Sequence, residues 1–311
     1  VLKVICLPVP VISVGNITLG GTGKTPFVEH IARYLQEKGK KGAILSRGYA
    51  AAIRQKSGDS THNACNDEYL VFRENIPYIP NLLSKDRVAA GLEAVRDFQV
   101  DCLLLDDGFQ HLRLARDLDI VIVDALNPFG YDYLVPRGML REPLEALKRA
   151  DVIALTHVDQ CSQGTIDDII DRLRKIAGHI PVVKTVHKPV CLETQQGSRL
   201  DVHGLEGKKV FAFCAIGNPV SFRKSIENLG AEVLGFHVFP DHHAYTRNDL
   251  KKLDEESQKL MPDATIITQK DRVKIKNDDV TWSFPLWTLK MEIQILEGSG
   301  ILESKIDAVF N

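Results

Sequence analysis

Thr18-Leu19-Gly20-Gly21-Thr22-Gly23-Lys24-Thr25 is the stretch that decides the fold. An apolar, β-like run (residues 9–14) precedes it, and a helix-like run (residues 26–37) follows. Glycines let backbone N–H groups turn inward onto an anion. The start of the following helix adds partial positive charge. Lys24 stands where a lysine reaches β- and γ-phosphates, and the Thr25 hydroxyl stands where it would ligate Mg²⁺. The usual pattern is G-x-x-x-x-G-K-[ST], and here Thr18 replaces the first glycine. The eight residues from Thr18 to Thr25 are read together as the nucleotide-phosphate cradle.

Outward from the loop, apolar strand-like runs recur at 42–45, 78–80, 102–105, 120–123, 152–155 and 182–186. Helical patterns lie between several of them, at 27–36, 69–73, 87–98, 144–148 and 166–176. Such alternation implies an α/β fold: a parallel sheet covered by helices, of the P-loop NTPase kind, with its ligand crevice at the carboxyl ends of the strands. A polar stretch, 188–209, reads as a boundary. Beyond it comes a second alternation: strands at 210–215, 232–238 and 265–268, helices at 221–229 and 248–260, two strands near 281–284 and 287–295, and a last helix at 302–310. The expected organisation is a core domain over 1–190 and a smaller α/β domain over 191–311, whose last helix can pack back on the core.

The bulk properties suit this reading. The chain has 311 residues, with 44% hydrophobic and 26% charged, ordinary values for a globular protein. A net charge of -2 leaves no electrostatic footprint for nucleic acid. Six scattered cysteines with no C-x-x-C pair argue against zinc or a disulfide framework and suit a reducing compartment. No run of 18 apolar residues is present, so no spanning helix is read. The chain begins at Val1, almost on the first strand, and a further N-terminal segment able to anchor it to a membrane is expected.

The second informative stretch is Leu103-Leu104-Leu105-Asp106-Asp107-Gly108-Phe109-Gln110-His111. An apolar strand running into carboxylates has the form of a Walker B element, whose acid serves Mg²⁺. Successive strand residues face opposite sides, so an ideal strand would aim only one of Asp106 and Asp107 at the metal, unless Gly108 relaxes the rule. Ser46-Arg47-Gly48-Tyr49 follows the second strand and is expected near the phosphate loop, with Arg47 either on phosphate or sugar oxygens or in a surface salt bridge. Asn66-Asp67-Glu68 opens a helix, where Asn66 or Asp67 could serve as its N-cap. Ser84 or Asp86 caps the next helix, and Arg87 on its first turn, against the helix dipole, hints at an anionic partner. Phe239-Pro240-Asp241-His242-His243 ends a strand facing a crevice, where an Asp in reach would raise the pKa of His242 or orient it. Thr268-Gln269-Lys270-Asp271 bears a loose likeness to the Asn-Lys-x-Asp guanine reader, in the wrong order.

Together these stretches, with residues 8–16 and Val135-Pro136-Arg137-Gly138-Met139-Leu140-Arg141-Glu142-Pro143, resemble the tetraacyldisaccharide 4′-kinases of lipid A synthesis. The similarity runs over essentially the whole chain, and Thr18 is part of that family's pattern. The resemblance implies transfer of the ATP γ-phosphoryl group to the 4′-hydroxyl of a tetraacylated glucosamine disaccharide 1-phosphate, yielding lipid IV-A. It implies ATP and Mg²⁺ as cofactors, an acylated disaccharide lipid and a membrane surface as partners, and work at the cytoplasmic face of the inner membrane. No nucleic acid or protein partner is implied. By the match, Asp67 is the catalytic aspartate, His242 its histidine partner across the domain crevice, and Lys24, Thr25, Asp106 and Asp107 the phosphate and metal side. Asp159 corresponds to an acidic position in some members and is a further metal-side candidate. An Asp with an ordinary pKa of about 3.9 is a poor base for an alcohol, so Asp67 is read as orienting the hydroxyl and taking its proton late. The rival is a switch or metallochaperone-type NTPase acting on a protein partner. Against it stand Leu19, where dimerising ATPases of that class carry a lysine, and the lack of a guanine reader.

Overall fold

The computed structural model describes residues 3–47, 67–276 and 279–311. They form two compact units, Val1–His187 with Ile293–Asn311, and Lys188–Glu292. The sequence reading drew one boundary, at 190/191. The chain leaves the first unit within one long strand and re-enters it within another.

In the first unit β1 (Val11–Asn16), α1 (Lys24–Glu37), β2 (Gly42–Ser46), α2 (Asp67–Asn75), β3 (Asn81–Leu83), α3 (Arg87–Phe98), β4 (Cys102–Asp106), β5 (Leu118–Asp124), β6 (Val152–Thr156), α4 (Gln163–Ala177) and the start of β7 (Val182–Thr194) follow in order. The strands pair in the order β7-β6-β5-β1-β4-β2-β3, every pair parallel. This is the covered parallel sheet expected from the alternation. Both faces are apolar because each is buried under helices. The period of two is visible in β4: Cys102 and Leu104 join Phe27, Ile31 and Leu35 of α1, whereas Leu103 and Leu105 join Val88, Ala90 and Ala94 of α3.

The second unit carries β8 (Arg199–Leu200), β9 (Lys209–Cys214), α5 (Pro219–Asn228), β10 (Glu232–Val238), α6 (Arg247–Leu260), β11 (Ala264–Thr268), α7 (Gln269–Arg272) and most of β12 (Leu286–Glu297). Its order is β10-β9-β11-β12, all parallel. The chain then gives α8 (Ser299–Ala308) to the first unit. Leu302 and Ile306 of α8 enter the cluster around α1, and the Tyr34 hydroxyl donates to Asp307 at 3.0 Å.

Local departures from the sequence reading have identifiable causes. The strand expected at 78–80 starts after Pro80, which has no N–H for a ladder; its carbonyl only accepts from Ile44 at 2.8 Å. No strand forms at 281–284 among the described residues, because the Ser283 N–H and hydroxyl both donate to Asp254 at 2.8 Å. The polar stretch from 188 continues β7 and turns into an antiparallel pair with β8. Residues 144–149 form a 3₁₀ rather than an α-helix. No helix among the described residues is long and apolar enough to cross a membrane.

Candidate active site

β1 ends at Asn16, and the loop 17–23 carries the chain to α1, whose first residue is Lys24. Asn16 ties the loop together: its Nδ2 donates to the Thr18 carbonyl at 2.8 Å and to Thr22 Oγ1 at 2.9 Å. Thr18 also bridges to Leu140, and Leu19 N–H donates to the Met139 carbonyl at 2.7 Å. Gly23 caps α1 with φ +91. That left-handed backbone suits glycine, and a Cβ there would lie 2.3 Å from His187 Nε2. Thr25 is buried on the first turn of α1.

β4, beside β1, delivers the two carboxylates differently. Asp106 is its last residue and is buried. Burial first, then the charges of Glu68 and Asp107, pushes the Asp106 carboxyl up to about 7. Asp107 has left the strand with φ +53, which frees it from the alternation. It accepts twice from Arg141 Nη1, at 2.8 and 2.9 Å, and lies 3.5 Å from Lys24 Nζ. Burial alone would raise its pKa, but Lys24 and Arg141 outweigh that and hold it below the usual carboxylate range. Asp107 is thus engaged by two cations, whereas Asp106 is the buried acid crowded by other acids. Asp106 and Thr25 offer only oxygen, the hard donor kind that suits Mg²⁺, and added positive charge beside Asp106 would relieve its crowding.

Arg87 is buried and donates to the carbonyls of Asp106 at 2.7 Å and Asp107 at 2.9 Å. The arginine whose place against the helix dipole hinted at an anionic partner thus lies on the residues that carry the two carboxylates, and its charge acts on both of them. Asp86 caps α3, accepting from Val88 and Ala89 N–H groups. Gln110 joins the site to the later motif: its Nε2 donates to the Asn16 carbonyl and to Glu142, both at 2.9 Å. The sequence quoted Asn16, Gln110, Arg141 and Glu142 within its motifs but gave none of them a role.

Asp67, buried, is the first residue of α2, and its Oδ1 accepts from Glu68 N–H at 3.1 Å. Asn66, Gly48 and Tyr49 lie outside the described residues. Arg47 follows β2, which β4 separates from β1, so it is not on a strand next to the phosphate loop. Asp159 sits past β6, on the opposite side of β1 from Asp106.

In the second unit, His242 has φ +61 and donates its N–H to the Ala215 carbonyl at 3.3 Å and to Asp241 at 3.1 Å. Its half-exposed ring lies 3.7 Å from the Asp241 carboxylate. Below this turn Asp271, fully buried, accepts from Ala215 N–H at 2.9 Å and the Tyr245 hydroxyl at 2.8 Å, beside Lys274. The Thr268–Asp271 motif therefore serves here as the internal anchor of the turn that carries His242. Non-glycine residues in left-handed backbone, such as Asp107 and His242, concentrate at functional sites.

A family model described as tetraacyldisaccharide-1-P 4′-kinase matches residues 1–311. This chain belongs to that kinase family. A tetraacyldisaccharide 4′-kinase of Syntrophus aciditrophicus is 38% identical over 284 residues, covering 86% of this chain and 76% of that one. One from Anaeromyxobacter sp. strain Fw109-5 is 35% identical over 308 residues, with 96% and 82% covered. Among solved structures, LpxK from Aquifex aeolicus in complex with ATP is similar with TM-score 0.70 and 30% identity, covering 100% of this chain and 91% of that one. The family's reaction is a step of lipid A biosynthesis, and a tetraacyldisaccharide 4′-kinase is a phosphotransferase that uses ATP. The protein-partner switch is not favoured.

Proposed function

We propose that this chain transfers the γ-phosphoryl group of ATP, with Mg²⁺, to the 4′-hydroxyl of a tetraacylated glucosamine disaccharide 1-phosphate, giving lipid IV-A. The observation that carries the reading is the cationic pair Lys24 and Arg141, held by Asp107 against the phosphate loop. Phosphoryl transfer passes through a loose transition state, so catalysis is chiefly positioning and charge stabilisation. The loop from Thr18 to Gly23 offers N–H groups to the phosphates. Lys24 and Arg141 are pre-oriented by one carboxylate and stabilise charge on the transferring group without reorganising. Mg²⁺ would be held by Asp106 and Thr25 and would supply positive charge that offsets the charge of the phosphates. Asp67 orients the 4′-hydroxyl and receives its proton late. His242 is the second candidate catalytic residue of this reading.

The acceptor is a lipid, so the same reading makes a membrane surface its partner and the cytoplasmic face of the inner membrane its place of work. The test is transfer of label from [γ-³²P]ATP into the acylated disaccharide in mixed micelles. Label found only in inorganic phosphate, across acceptors and detergents, overturns the reading.

A further inference from the structure

The transfer step as derived above uses neither Tyr245 nor the motif that ends in Asp271, yet both converge on the turn that carries His242. That turn is strained. His242 has φ +61, a backbone that crowds a side chain and persists only where its surroundings over-determine it. Its ring is 52% exposed, so its direction depends on the backbone that carries it. That backbone is held through Ala215, the residue after β9: the His242 N–H donates to the Ala215 carbonyl at 3.3 Å.

One buried ion pair grips Ala215 at both ends. Asp271 Oδ1 accepts from the Ala215 N–H at 2.9 Å. Lys274 Nζ donates to the Ala215 carbonyl at 3.5 Å and lies 3.2 Å from Asp271 Oδ1. The Tyr245 hydroxyl, three residues beyond His242, donates to the same carboxylate oxygen at 2.8 Å. Its ring meets that of Phe239, three residues before His242, edge-on at 5.2 Å. Burial, then the Asp271 carboxylate, raises the Tyr245 pKa and keeps its hydroxyl a donor. Thr268 Oγ1 donates to Asp271 Oδ2 and accepts from the Asp271 N–H at 3.2 Å, which fixes the orientation of the carboxylate. A carboxylate has about four acceptor sites, and the fully buried Asp271 receives from Thr268, Tyr245, Ala215 and Lys274. An ion pair buried in this way is a weak source of stability, because apolar side chains of similar volume often serve as well. What it provides here is a fixed place for Ala215, and through it for the backbone of His242.

We infer that Asp271, Tyr245 and Lys274 are positioning residues for the phosphoryl transfer, which hold His242 in its working place through the N–H and carbonyl of Ala215. The inference rests on the reading of His242 as a catalytic residue. The three act on the transfer step, and only through His242. None of them belongs to the unit that holds the phosphate loop, so their loss leaves ATP affinity in place.

The experiment is a double-substitution cycle on the full chain. Its readouts are kcat for labelling of the acylated disaccharide in mixed micelles, calorimetric ATP affinity, and ¹H–¹³C NMR of the histidine rings. Tyr245→Phe keeps the ring and removes one hydrogen bond to Asp271, and Lys274→Met keeps the stem and removes the charge. Each lowers kcat by about tenfold or more, since a misplacement of about 1 Å at the reacting groups costs about 10²-fold, and each leaves ATP affinity unchanged. Each also moves the ring signal of His242, assigned by its loss in His242→Ala. In the His242→Ala background neither lowers the residual kcat further. Asp271→Asn, checked by its melting temperature, behaves likewise. Should the Lys274 or Asp271 variant not fold, Tyr245→Phe decides alone. A matching loss of ATP affinity, or a fall in kcat that repeats in full in the His242→Ala background, overturns the inference in favour of general support of the fold. Unchanged kcat or an unmoved His242 signal in Tyr245→Phe overturns it outright. Unchanged kcat in His242→Ala removes the role of the histidine and this inference with it, a result distinct from either.

Discussion

Gly23→Ala tests the contact on which the phosphate loop rests. The new methyl group would stand 2.3 Å from His187 Nε2 and 2.6 Å from its Cε1. The imidazole cannot simply swing away, because the His157 ring packs against it at 4.3 Å and His157 Nδ1 lies 2.9 Å from Asp124 at the end of β5. Left-handed backbone costs an alanine about 1–2 kcal/mol, and overpacking a close contact costs about 1–3 kcal/mol. The expected total is roughly 2–5 kcal/mol, from the same two terms. It appears as lost stability if the loop keeps its shape, or as lost ATP affinity if the loop moves. Urea unfolding and ATP calorimetry on the same samples capture both. His187→Ala in the Gly23→Ala background removes the steric share only, so the double-mutant cycle should show a coupling of about 1–3 kcal/mol. Strict additivity, or a Gly23→Ala variant that loses under about 1 kcal/mol by both measures, would refute the packing argument.

Other outcomes follow from the same geometry. Lys24→Ala should lower kcat/KM by about 10²–10³, as for loss of one electrostatic stabiliser, with an unchanged melting temperature. Near-normal turnover in Asp67→Asn would remove that residue from the proposed catalytic role; the expected result is a fall in kcat with ATP affinity retained. Arg141→Ala removes both hydrogen bonds to the partly buried Asp107 and should cost about 1–3 kcal/mol in urea unfolding, whereas Arg141→Lys, which keeps the charge, should cost less. Thr246→Ala removes the N-cap of α6 and should cost about 1 kcal/mol. Hydrogen bonds from Thr246, backbone first, and then from His243, hold Asp249 down to about 2. A depressed folded pKa stabilises the fold above the unfolded value, near 3.9, and that contribution is lost as pH falls from there through about 2. An NMR titration of Asp249 with its midpoint at the ordinary value would contradict this.

Much of the first unit was legible because strand runs such as Leu103-Leu104-Leu105 are apolar on both faces and are punctuated by loops with unusual chemistry. β7 was read too short, since after Val186 the residues His187-Lys188-Pro189 interrupt the apolar run although the strand continues to Thr194. The ion pairs of the site were hidden for a different reason. Arg141 and Asp107 are 34 residues apart, and only the folded path of the chain brings them together. Arg87 showed an anomaly whose hydrogen bonds to the carbonyls of Asp106 and Asp107 have no signature in a sequence. His157, just after β6, and His187, on β7, are lone histidines in the sequence, and each becomes informative only beside the other.

The division of the chain bears on how the molecule is made. Ile293, Leu302 and Ile306 belong to the same buried cluster as Ile12, Phe27 and Leu35, which support the strand and helix on either side of the phosphate loop. A nascent chain emerges from the ribosome N-terminal end first, and domains tend to fold as they appear. Here the second unit, 188–292, can complete its own contacts while the first still lacks residues 293–311. The nucleotide cradle therefore rests on an open core until translation has passed α8. A ribosome stalled before Ile293 would display a phosphate loop whose apolar underside is still exposed to chaperones and proteases.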